Sequence, residues 1–199
     1  MDQVNVQPVV HYKANQWRDC VAEREVSRAV YALRAWVKKQ LGVTFTLKRQ
    51  AVHRFSRDQL HWTDMLREYA GDRLCDNTTV FASFTVGEKW QGGVYGAGVW
   101  GCPFSLPGRV GGYWWTRTDP TGLRGWLSHE LGHAIAGLRH PLPPDRYAAW
   151  MLEHEGVTVP EGAIDPRSIG ANVMGGGYRN WPDTRFHDLD VPLMLEALA

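Results

Sequence analysis

The order of apolar patterns along the 199 residues predicts an α+β fold: a mixed, twisted β-sheet with two main helices and a smaller, irregular C-terminal lobe below a cleft. Three observations predict it. Val43, Phe45 and Leu47 alternate with Thr44, Thr46 and Lys48, the period of a strand with one buried face. Val26, Val30, Leu33, Val37 and Leu41 recur at intervals of four, three, four and four, as on a helix packed against a sheet. Leu127, Leu131, Ala134, Ile135 and Leu138 form a second apolar stripe at helical spacing.

Val4–Tyr12 reads as the first strand. Asn15 is the expected cap of the long helix, which ends at Gly42, a residue free to take the left-handed conformation. Val43–Phe55 reads as one strand, and Ser56-Arg57-Asp58-Gln59 signals the start of a short helix ending near Gly71. Further strands are expected over Thr78–Val86 and Arg109–Thr116. Between them the run Gly92–Trp100 is too rich in glycine for a central strand and suits a sheet edge. After the second main helix, Asp145–Glu155 predicts a helix stopped by Gly156, and Asp190-Val191-Pro192 opens a C-terminal helix ending near Leu198. No repeat or linker breaks the chain. The expectation is one domain over 1–199, with an N-terminal lobe to about 137 and a C-terminal lobe from about 138.

A net charge of +1, with basic residues scattered among acidic ones, argues against a nucleic-acid surface. Ten Trp and 21 Gly suggest aromatic packing over irregular loops, and aromatic residues on a cleft would also suit a peptide-binding surface. Met1–Val10 lacks the basic start and apolar run of a signal peptide, and no segment reads as a membrane span. A monomer away from the membrane is expected, cytoplasmic or the mature form of an exported protein. Cys20, Cys75 and Cys102 show no metal-ligand spacing; Cys75 and Cys102 could pair in an exported protein, and three ordinary thiols are the simpler reading.

The densest chemical signal is His129-Glu130-Leu131-Gly132-His133, followed by Gly137 and His140. Residues four apart on a helix project from one face, so His129 and His133 can share one ion at about 2.0 to 2.1 Å. Glu130 is rotated about 100° from His129, which suits a general base better than a ligand. Gly137 with Pro141, Pro143 and Pro144 forces a turn that can swing His140 back as a third ligand, leaving a fourth position for water.

With these residues the chain resembles the metzincin clan of zinc endopeptidases, whose signature is His-Glu-x-x-His-x-x-Gly-x-x-His with a Met-turn further on. One extra residue separates His133 from Gly137. That spacing is similar to the IgA-peptidase family of bacterial metallopeptidases, His-Glu-x-x-His-x-x-x-Gly-Leu-x-Asp, with His140 where that family has Asp. The resemblance implies a metzincin-like sheet, Zn2+ as cofactor, a polypeptide substrate and peptide-bond hydrolysis with Glu130 as the base. It implies a Met-turn at Asn172–Tyr178 with Met174 as a floor under the metal. It also suggests a transition-state contact from Tyr178 and a substrate-binding edge strand at Val94, Tyr95, Gly96, Ala97, Gly98 and Val99. The bland readings are core filler for Met174 and a glycine-rich surface loop for residues 94–99.

Two alternatives stay open. A thermolysin-like arrangement would take its third ligand from Glu153 or Glu155, 20 and 22 residues beyond His133. A zinc-dependent peptide-binding protein would use the ion without turnover.

Overall fold

The computed structural model describes residues 4–56, 62–75, 79–86, 90–96, 113–115, 120–175 and 184–199; for 62–63, 74–75, 90–96, 113–115 and 120–126 it describes the backbone alone. Its sheet grows around strand β1 (Asn5–Lys13). On one side β1 pairs in parallel with β2 (Thr46–Leu47) and then β3 (Ala51–Phe55); on the other it pairs in parallel with β4 (Thr79–Thr85). β4 continues antiparallel to β5 (Trp90–Gly96), and β5 to β6 (Tyr113–Trp115). The sheet is open, with β2 and β6 at the ends of its path.

Pro8 explains why the single strand expected over Val43–Phe55 is two short ones. The carbonyls of Val4 and Val6 accept from Thr46 and Lys48. By the strand's alternation Pro8 faces the same neighbour, and with no N–H it cannot extend that ladder. The pairing lapses at residues 48–50 and resumes with Val9 against Ala51.

Helix α1 (Cys20–Leu41) is capped by Asp19, whose carboxylate accepts from the N–H groups of Val21 and Ala22, rather than by Asn15. It ends, as expected, on Gly42 at φ 74°. Val26, Val30, Leu33 and Val37 meet Val6, Val10 and Tyr12 of β1 in the main core. The opposite face of the sheet, with Val9 and Phe81, packs on Leu66 and Ala70 of helix α2 (Trp62–Ala70). Helix α3 (Pro120–Ala136) packs with α1 in the same core, and the expected stripe is buried throughout, four of its residues on α3 and Leu138 just past its end.

Among the described residues after 138, helices stand in both places where the sequence predicts them. Helix α4 (Pro144–Trp150) runs into a π-helical turn, Met151–Glu155, stopped by Gly156 at φ 66°. Tight 3-10 turns follow at Pro166–Ser168 and Val173–Gly175, and helix α5 (Val191–Leu198) closes the chain. Met194 and Leu198 of α5 join the same core as α1 and α3, and Phe186 packs tilted against Trp36 with ring centroids 5.1 Å apart.

These features correct the expected metzincin-like twisted sheet with an irregular C-terminal lobe. Helices dominate the described residues: α1 alone has 22 residues and α3 has 17, whereas β2 has two and β6 three. The periodicity of Val43–Leu47 overstated the strand content, because a pattern does not reveal when its partner strand lacks a donor.

Candidate metal centre

His129 and His133 sit one turn apart near the end of α3, where Gly137 takes φ 60° and its N–H bonds back to the His133 carbonyl at 3.0 Å. A side chain other than glycine rarely adopts that conformation. The turn redirects the chain so that His140 faces the two helical imidazoles. The three residues form a group of convergent ligand atoms that could hold a metal ion. The Nε2 atoms of His129 and His133 are 3.2 Å apart, and each lies 2.9 Å from Nε2 of His140.

The far side of the rings fixes their chemistry. His129 Nδ1 lies 2.8 Å from the Val173 carbonyl oxygen, and His133 Nδ1 bonds to that of Leu138. A carbonyl can only accept, so both Nδ1 atoms carry the proton and both neutral rings present an Nε2 lone pair to the centre. Two lone pairs facing each other at 3.2 Å cannot hydrogen-bond, and a cation between them satisfies both. This donor set fits a divalent metal ion, with the carbonyls as the outer partners that orient ligating imidazoles.

Electrostatics agree. Burial, reinforced by the neighbouring His129, pushes the His133 imidazole down to about 4, against the pull of its bond to Leu138. Burial also lowers His129, more than the Val173 bond raises it, with His140 adding to the depression. Neutral imidazole is the form that ligates metal. Exposure is graded, from buried His129 through half-buried His133 to exposed His140, so one side of the cluster faces solvent.

Glu130 is buried at 8% exposure beside His129 but is not in the donor group. Glu153 and Glu155 are exposed on the π-helical turn and are likewise outside it, so His140 and neither Glu completes the cluster. Met174 is 1% exposed in a 3-10 turn and belongs to the main core. A Cβ added at Gly132, between the two helical histidines, would come 2.7 Å from the Met174 sulfur. Val94, Tyr95 and Gly96 lie in β5, paired with Ala82, Phe81 and Val80. β5 runs between β4 and β6 in the sheet, so it is not a terminal strand. Ala97, Gly98, Val99, Tyr178 and Cys102 lie outside the described residues, as does the Cys75 side chain; Cys20 is an exposed free thiol. Among the described residues no helix is long and apolar enough to cross a membrane.

No family model, curated protein or solved structure matches the chain. The metzincin and IgA-peptidase resemblance is therefore corrected. The donor set is three imidazoles with no Glu or Cys, and the surrounding fold is helix-rich, not metzincin-like. The His-Glu-x-x-His and Met-turn hallmarks do not carry over as a unit. The five-residue motif contributes its two imidazoles to the cluster and not its carboxylate, and Met174 packs as a core residue. Five residues and a methionine can recur in an unrelated chain, and the extra position before Gly137 already marked the difference. The class that fold and site define is a helix-rich chain with a small open sheet and a three-histidine site able to coordinate a metal ion.

Sequence reasoning missed the two carbonyls that set the tautomers, since any residue can supply one. It also missed Asp165, which is buried next to the His140 loop. Its signal was slight: an acid directly before Pro166, in the place of a turn cap.

Proposed function

We propose that the cluster holds a zinc ion and that the chain is a zinc-dependent peptidase in which Glu130 is the general base. The observation that carries the reading is a set of three convergent imidazole donors with one side open to solvent. Structural zinc sites are closed by four protein ligands, whereas catalytic ones keep a position for water or substrate. Zinc bound there would supply Lewis-acid polarisation of a scissile carbonyl and a water acidified to near neutral pH. The chain's own contribution is to gather three imidazoles, two of them held neutral by backbone carbonyls, and to keep a buried carboxylate one residue from a ligand, off the ligand face. That carboxylate suits accepting a proton and passing it to the leaving amine. A polypeptide substrate is part of the same proposal.

A second reading is metal-dependent peptide binding without turnover. It is favoured by the donor set itself, which is complete with imidazoles alone and leaves Glu130 outside it. The two readings part on one assay. Zinc-loaded protein is incubated with an unstructured polypeptide, with and without a strong chelator, alongside Glu130→Gln. Chelator-sensitive cleavage, lost by several powers of ten in Glu130→Gln at unchanged zinc content, supports the peptidase. Zinc-dependent retention of the polypeptide with no cleavage supports the binding protein and sinks the hydrolytic role of Glu130.

A further inference from the structure

We infer that Asp165 is the positioning residue for His140, fixing the third member of the cluster by clamping the chain on both sides of it. The inference rests on the metal-binding reading of the cluster. His140 lies in a loop after the α3 terminus and, unlike His129 and His133, has no helix to aim it. The Asp165 carboxylate supplies what the helix does not. Its Oδ2 accepts from the Arg139 guanidinium at 2.5 Å and from the Leu142 N–H at 3.0 Å, one residue before and two residues after His140. Arg139 also donates to the His140 carbonyl at 3.0 Å, which ties the backbone of the ligand itself to the clamp. The same guanidinium lies over the Trp150 ring of α4, 4.4 Å from its centroid.

The clamp is anchored in turn. Asp165 Oδ1 accepts from the Arg167 N–H at 3.0 Å, and Ser168 Oγ donates to the Asp165 carbonyl at 2.7 Å. Arg167 reaches on to Asp190, the residue preceding α5, at 2.7 Å. Asp165 is fully buried, so its hydrogen bonds do not exchange freely with water. Burial alone would raise its carboxyl, but the bonds from Leu142, Arg139 and Arg167 together hold it below the ordinary range. An ionised carboxylate with fixed donors is a stiff brace, whereas an amide in its place offers one acceptor oxygen and no charge to Arg139.

The test is a double-mutant cycle on Zn2+ affinity, measured by competition with a chromophoric chelator. Asp165→Asn should weaken Zn2+ binding about 10 to 100-fold, the range typical of partners that orient a ligand. In a His140→Ala background the same substitution should change affinity less than about twofold, because the residue acts through His140. An equal loss in both backgrounds would mean that Asp165 only stabilises the fold, and would overturn the inference. So would unchanged affinity in Asp165→Asn. Should Asp165→Asn fail to fold, Arg139→Gln carries the same cycle, with a loss that again vanishes in the His140→Ala background. Failure of wild-type protein to bind Zn2+ would refute the metal reading itself, an outcome distinct from the other results.

Discussion

His129 donates its Nδ1 proton to the carbonyl of Val173 at 2.8 Å, so the most buried imidazole of the cluster is oriented by a backbone segment 44 residues further along the chain. The next residue, Met174, packs its sulfur against Gly132 on the same helix. The 3-10 turn at Val173–Gly175 therefore acts on the site twice, through one carbonyl and one side chain.

That contact makes Gly132→Ala unusual. In a helix interior the change normally gains up to about 1 kcal/mol. Here the new methyl would meet the Met174 sulfur at 2.7 Å and a Leu138 methyl at 3.1 Å, so the gain is offset by steric cost. The expected outcome is no gain or net destabilisation in the wild-type background and a more favourable effect in Met174→Ala. Urea unfolding of the four proteins gives the coupling, and equal effects in the two backgrounds would contradict the packing described.

The ligand assignment predicts a pattern across five variants. His129→Ala, His133→Ala and His140→Ala should each weaken Zn2+ binding by more than about 100-fold, beyond the loss typical of an outer partner. Glu153→Ala and Glu155→Ala should match wild type, since both carboxylates lie outside the donor group. A silent His140→Ala paired with metal loss in either Glu variant would transfer the third position away from His140.

A pH dependence of stability arises on the other face of the sheet. His11 is fully buried, 2.8 Å from Ser83 Oγ and 3.0 Å from His53 Nδ1. Burial, with a smaller contribution from His53, pushes its imidazole down to about 3. The folded value lies below the unfolded one of about 6.5, so the unfolded chain binds the proton first. The stabilisation is complete above about pH 6.5 and is lost as the pH falls from there toward 3. Between pH 7.5 and 5 this one group should cost about 2 kcal/mol. Denaturant unfolding at both pH values should show a loss smaller by about that amount in His11→Gln; an identical loss in variant and wild type would refute the assignment.

Capping of α1 offers a check on the fold alone. Asp19→Ala removes the acceptor for Val21 and Ala22 and should destabilise by about 1 kcal/mol. Asn15→Ala should stay within about 0.5 kcal/mol. Thermal unfolding of the two variants compares them, and the reverse order would move the helix start.

How far these features could be read from sequence depends on how local their causes are. The α1 stripe, the Gly42 and Gly137 helix ends, the strand before α1 and the helix after Asp190 follow from neighbours within a few residues, and all five are in the structure. The convergence of His129, His133 and His140 followed from helical spacing plus a turn, which is also short-range. What failed depended on distant partners. The break between β2 and β3 is caused by Pro8, on a strand more than 35 residues earlier in the chain. The Asp165 clamp joins residues 23 and 26 positions apart. The family resemblance failed differently, because a short motif specifies two imidazoles without specifying the fold that surrounds them.

The most direct test of the central claim is the metal content of purified protein loaded with Zn2+ and then desalted. Elemental analysis should give one zinc per wild-type chain and less than about a tenth of that in His129→Ala and in His133→Ala, each shown to be folded by circular dichroism. Wild-type protein that retains no zinc, or full zinc retained by both variants, would contradict the three-histidine metal centre.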